Sequence, residues 1–146
     1  MIVFILILLL LFKSSVGSEI SDIPFTIDIK KLEAFKSPDI QNGNPVIGKN
    51  IFKSRRVNCL SCHEAPIEEE RFQGNFGPSL LGIGSKYTKS EIRMRVINSK
   101  LINPETIMPS YFEKIKYPRT PKKFLGKTIL KAEEVEHLVE YLYSLK

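Results

Sequence analysis

The sequence predicts an all-α domain, short helices and long loops gathered around one covalently bound group, with an N-terminal extension. Three observations lead there. Apolar residues recur at helical spacing near Ile47–Phe52 and again over Val135–Leu145, with no alternating strand–helix pattern and no internal repeat between them. The connecting stretches are long and rich in Pro and Gly, and loops of that length in a small domain usually need more than side chains to pack against. A Cys-x-x-Cys-His motif follows the first helix and offers a covalent anchor for such a filler. Composition agrees with a globular chain: 146 residues, 42% hydrophobic and 26% charged. Two cysteines exclude a disulfide-stapled scaffold or a four-cysteine zinc cluster. A formal charge of +6 is mild, and no dense Lys/Arg block with interleaved aromatics is present, so nucleic acid is a poor partner.

Ile2–Phe12 is an unbroken apolar run. A membrane span needs about 20 residues, whereas the core of a secretory signal needs about 7–15. Small residues Ser14, Ser15, Gly17 and Ser18 follow. Residues 1–18 are therefore read as a cleaved signal peptide, which makes the protein periplasmic without a stable membrane anchor. The apolar run has no Lys or Arg before it, and the other reading is an uncleaved anchor; both export the remainder.

Residues 19–43 form an N-terminal arm. Ile23, Phe25, Ile27 and Ile29 alternate with other residues, as in an extended segment with one apolar face. Such a segment lies either on its own domain or on a partner. The turn cluster Gln41–Asn44 ends it. The main domain, 44–146, opens at Asn44-Pro45, an N-cap followed by a proline suited to the first helical position. Ile47, Ile51 and Phe52 mark the apolar face of this helix, which should end near Arg56. Residues 64–87 read mostly as loop. Thr88 and Glu91 make a capping box for a short helix to about Ser99, whose apolar residues share no clean face. Residues 103–127 are again loop. The last helix runs from about Ala132 to Leu145, with Val135, Leu138, Val139, Leu142 and Leu145 in one stripe. Lys131 has no acceptor to offer at the cap position, so the start of that helix is expected to fray.

Cys59-Leu60-Ser61-Cys62-His63 is the C-x-x-C-H attachment motif of haem c. Thiols three residues apart can each add to one vinyl group of a porphyrin, and the adjacent histidine is then held beneath the iron. The competing readings are weaker. A structural zinc site needs four ligands, and His137, on the polar side of the last helix, is the remaining soft one. A thioredoxin-like pair needs a strand–helix–strand setting that the pattern lacks. Candidates for the second axial ligand are Met94, Met108 and His137. Met94 sits mid-helix, where methionines usually pack. Met108 lies between prolines in a stiff loop, about 45 residues after His63, with enough chain to wrap a porphyrin edge. It is the favoured ligand. Met/His ligation raises the potential and suits electron transfer. In Gly77-Pro78-Ser79-Leu80, the Pro78 carbonyl is the candidate acceptor for the other N–H of His63, which would fix the ring.

The stretch from Asn44 onward resembles the class I cytochromes c. More closely, it is similar to the SoxX family, the small monohaem subunits of the bacterial sulfur-oxidation complex SoxAX. The resembling stretches are Asn58–His63, Gly74–Leu80, Ile102–Phe112 and Gly126–Leu142, and the run Asn103–Tyr111 is the most specific. The resemblance implies crossing of the first and last helices, with Gly48 allowing close approach near Tyr141. It implies one haem c held by Cys59, Cys62, His63 and Met108, with a SoxA-type cytochrome as partner in a heterodimer. It also implies a thiosulfate-oxidising complex of the L-cysteine S-thiosulfotransferase type, which loads a SoxYZ-type carrier and passes electrons to a soluble cytochrome c. Sulfur chemistry would then belong to the partner, and the word enzyme to the complex. Both cysteines of this chain are used by the motif, so no catalytic thiol is left. For residues 19–43 no resembling stretch is identified. The other readings are a free-standing periplasmic electron shuttle and a haem-free metal or redox module. Finally, Lys114, Lys116, Arg119, Lys122, Lys123 and Lys127 face one acid, Glu113, over residues 113–127. That loop is either a solvated surface or a docking site for an acidic partner.

Overall fold

A computed structural model describes residues 24–146. The signal peptide and the first residues of the arm, including Ile23, lie outside the described residues. Two short strands, β1 (Phe25–Asp28) and β2 (Glu33–Lys36), precede four helices: α1 (Pro45–Lys53), α2 (Ile83–Lys86), α3 (Lys89–Asn98) and α4 (Ala132–Ser144). The strands pair antiparallel, with Phe25 opposite Lys36 and Ile27 opposite Ala34. This corrects the all-α expectation. The period-two pattern is real, but the chain turns back at Ile29–Leu32 and satisfies its backbone within a hairpin.

The described arm lies on its own domain. Phe25 packs edge-on against Phe112, with ring centroids 4.9 Å apart. Ala34 is buried, and its carbonyl accepts a bond from Arg93 at 2.8 Å. Among the described residues, the expected apolar face is buried only at Phe25; Ile27 and Ile29 stay 37% and 52% exposed.

Asn44 caps α1 as its residue type dictates, its side chain accepting from the N–H groups of Val46 at 2.9 Å and Ile47 at 3.3 Å. The buried face of α1 is Gly48 and Phe52, not Ile47, which is 44% exposed. The reason is the crossing with α4. A Cβ on Gly48 would overlap the His137 carbonyl and the Tyr141 side chain, so the helix turns its glycine inward to let the backbones meet. Phe52 and Tyr141 pack beside this point, their ring centroids 5.5 Å apart and their planes tilted by 57°. α1 ends at Lys53, a turn earlier than the sequence suggests.

The capping box of α3 forms as expected. Its apolar residues share no face because the helix is enclosed: Ile92, Arg93, Met94, Val96 and Ile97 are all buried. Arg93 makes this possible by pairing with the buried Glu136 of α4 through two bonds of 2.6 and 2.8 Å. The start of α4 does not fray. Glu134 accepts from the Lys131 N–H at 2.8 Å and pairs with Arg56, supplying from within the helix what Lys131 lacks. No described helix is long and apolar enough to cross a membrane.

Candidate haem centre

Asn58 holds a left-handed conformation, φ 57°, which asparagine tolerates better than most residues. Its side chain accepts from the Ser61 hydroxyl at 2.6 Å. The chain then enters a 3-10 turn over Cys59–Ser61, and the N–H groups of Cys62 and His63 both bond to the Cys59 carbonyl, at 3.1 and 3.0 Å. One helical turn between the thiols puts both on the same side. They are free, half-buried cysteines. Burial pushes the Cys59 thiol up to about 11, the Tyr111 hydroxyl beside it offsetting part of the effect.

The following loop is laced back onto the motif. Gly74 N–H donates to Leu60, and Gly77 N–H to Cys62, at 2.8 and 2.7 Å. Gln73 staples the segment before it, accepting from Ala65 at 2.6 Å and donating to the Glu70 carbonyl at 2.9 Å. Gly77 lies against the imidazole, and a Cβ there would overlap the ring of His63. The Pro78 carbonyl oxygen stands 2.8 Å from Nδ1 of His63. With the proton on Nδ1, Nε2 keeps its lone pair for a metal.

Met108 reaches the same place from the other side of the sequence. The Ser99 hydroxyl donates to its carbonyl at 3.0 Å, and its N–H donates to the Thr106 hydroxyl at 3.2 Å. Lys100 ties down the Thr106 carbonyl at 2.8 Å. Cys59, Cys62, His63, Pro78 and Met108 all line one cavity of about 510 Å³. Its remaining walls are largely apolar, including Phe52, Leu80, Ile92 and Leu138. A cavity of this size and character fits a flat apolar macrocycle, and its donors, an imidazole and a thioether, suit an iron porphyrin.

The other ligand candidates are elsewhere. Met94 is fully buried in the core and is not among the cavity's walls. His137 Nδ1 accepts the Asn44 N–H at 2.8 Å, so its role is to hold the chain entering α1. Among the described residues, no three His, Cys, Asp or Glu side chains gather as metal ligands.

Sequence reasoning misses Tyr111. Its hydroxyl donates to the Val57 carbonyl at 2.8 Å, tying the methionine segment to the chain just before Cys59, and burial raises its pKa. Its place in the Asn103–Tyr111 run is the one signal that could have found it.

Comparison with known proteins agrees with the geometry. In fold, the chain is similar to one in the crystal structure of SoxXA from P. pantotrophus, with a TM-score of 0.72 and 27% identity over 84% of this chain and 94% of that one. That similarity bears out the SoxX resemblance read from the motifs. No curated protein matches in sequence. The family model for cytochrome c matches residues 46–146, which takes in every wall of the cavity, and the chain belongs to the cytochrome c family.

Proposed function

We propose that the protein is a periplasmic monohaem cytochrome c, the electron-transfer subunit of a SoxAX-type thiosulfate-oxidising complex. The observation behind this reading is the convergence of His63, turned by Pro78, and Met108, pinned by Ser99, on one apolar cavity beside two free thiols. Haem c, when bound, supplies reversible one-electron transfer at the iron. Cys59 and Cys62 would hold it through thioether bonds. The Nδ1 bond to Pro78 keeps His63 in the tautomer that ligates and raises its basicity. Met108 would fill the remaining axial position, leaving none for oxygen or peroxide. Axial ligation spans roughly 0.8 V of haem potential, and a His/Met pair sits toward the high end. Such a centre suits accepting electrons from a sulfur oxidation and passing them to a soluble cytochrome c.

The SoxXA likeness supports a SoxA-type cytochrome as partner. The cysteine count supports placing the sulfur chemistry, and the transfer to a SoxYZ-type carrier, on that partner, because this chain has no thiol to spare. The test is purification from the native periplasm at mild salt, with staining for covalent haem. A second haem polypeptide co-eluting in fixed ratio is the expected result. A lone haem band at monomer size would favour a free shuttle instead, and a chain without covalent haem would sink the reading.

A further inference from the structure

The end of α3 is shared by the segment that carries Met108. The last carbonyls of a helix have no partner within it, and here the returning chain uses them. The Tyr111 N–H donates to the Val96 carbonyl at 3.3 Å, and the Phe112 N–H to that of Ile97 at 3.1 Å. Asn98, the last residue of α3, organises the turn between. Its Oδ1 accepts from the Lys100 N–H at 3.1 Å, capping the 3-10 turn Ser99–Leu101, and from the Ser110 hydroxyl at 2.7 Å. Its Nδ2 donates to the Glu113 carboxylate at 3.3 Å. One half-buried side chain thus joins the chain before Met108 to the chain after it. The next residue, Ser99, is buried and donates to the Met108 carbonyl itself. Ser99 is a wall of the cavity and Asn98 is not.

We propose that Asn98 is a positioning residue which, with Ser99, makes the end of α3 a template for Met108 and so keeps the second axial position closed to outside ligands. The inference rests on the haem reading above. Its basis is constraint. The described chain between Leu101 and Ala132 has no helix or strand of its own. The thioether is therefore only as well placed as the bonds that hold its backbone. Asn98 acts through Lys100 and Ser110, closing the bracket from which Ser99 reaches Met108. A thioether is a neutral ligand, and a small anion such as cyanide replaces it on ferric iron whenever the sulfur swings away. The rate of entry then follows the fraction of open loop. Each hydrogen bond lost from the bracket raises that fraction about two- to tenfold.

The test is cyanide binding to the ferric holoprotein, followed by stopped-flow absorbance. Asn98→Ala and Ser99→Ala are each expected to speed it about two- to tenfold. Ser110→Ala should do the same. Asn98→Ala combined with Ser110→Ala should gain less than the two single effects together, since one bond serves both residues. Ser144→Ala is the reference. It removes a hydroxyl-to-carbonyl bond of 2.6 Å at the last residue of α4, outside the cavity walls, and should leave the rate unchanged. A merely structural role would lower the melting temperature in all these variants without singling out cyanide entry. If Asn98→Ala does not mature, Ser110→Ala removes the same bond and decides. Rates in the Asn98, Ser99 and Ser110 variants equal to that of Ser144→Ala would overturn the proposal, while fast binding in Met108→Ala would keep the ligand reading intact. A Met108→Ala variant no faster than wild type would remove both.

Discussion

Single atoms decide how the candidate centre is held. Gly77 is required because the His63 ring occupies the space of its missing Cβ. Gly77→Ala should displace the ring from the Pro78 carbonyl, 2.8 Å away, and cost about 1–3 kcal/mol of stability. Thermal unfolding followed at the haem absorption would measure it, and an unchanged midpoint would show that the loop can give. Met108 makes the sharper prediction. With its carbonyl and N–H both anchored, Met108 lines the cavity that His63 also lines. Met108→Ala should open an axial position and lower the potential. A low-spin spectrum with unchanged potential would show that another group ligates. Both residues stand in recognisable motifs, so their identity is legible in the amino-acid sequence. How they are held is not legible there: the bonds from Ser99 and Thr106 run between loop residues that no periodicity marks.

At the scale of elements, the buried pair Arg93–Glu136 joins α3, α4 and β2. Arg93 meets both carboxylate oxygens of Glu136 and the Ala34 carbonyl. Removing one partner leaves the other charge buried, so Arg93→Ala should cost about 3–5 kcal/mol. Chemical denaturation would show this as a lower midpoint. A loss below about 1 kcal/mol would mean that water reaches Glu136. On the surface, Glu69 ties the loop after the motif to α1 through Lys49 at 3.1 Å and Lys53 at 3.0 Å. Its own backbone amide, then these lysines, hold its carboxyl down at about 2 against an ordinary 4.5. A lowered folded pKa gives stability that is present above about 4.5 and is lost as pH falls toward 2. The acid limb of the stability curve should therefore be shallower in Glu69→Gln, and the difference should fade at high salt because the pair is exposed. Identical acid limbs would show that the tie contributes nothing. The hairpin, α3 and α4 show why the elements are only partly legible in sequence. Alternation identifies extended chain around Phe25, yet the turn at Ile29–Leu32 has no strong turn residues. Lys131 suggests a frayed helix because the compensating carboxylate, Glu134, lies inside the helix and also serves Arg56, beyond the end of α1.

At the scale of the whole molecule, one exposed loop gathers a run of cations. Lys114, Lys116, Arg119, Lys122, Lys123 and Lys127 are all exposed on the loop after the methionine segment. The loop is closed at its base by bonds between Ile115 and Lys127 and between Gly126 and Ile115, both 3.0 Å. The cations are thus gathered on one loop closed at its base. Exposed charges of this kind act on encounter rate and salt dependence more than on affinity. Lys122→Glu with Lys123→Glu should slow electron exchange with an acidic partner at low salt, and the gap should close near 1 M salt, where the screening length is about 3 Å. Stopped-flow rates at two ionic strengths would measure it. Equal rates for wild type and variant at low salt would leave the loop a solvated surface.

The sequence by itself marked the candidate attachment motif and the helices. Covalent attachment depends on residue spacing within five positions, and helix caps and apolar stripes are likewise local, so Cys59–His63, Asn44, Thr88 and the α4 stripe can be read directly. Tertiary structure alone decided that Met108 faces the cavity of His63 while Met94 and His137 do not, that Gly48 rather than Ile47 turns inward, and that Arg93 can be buried. Each of those outcomes depends on a partner far along the chain, and no local pattern encodes which distant residue will complete a charge, fill a cavity or yield space to a backbone.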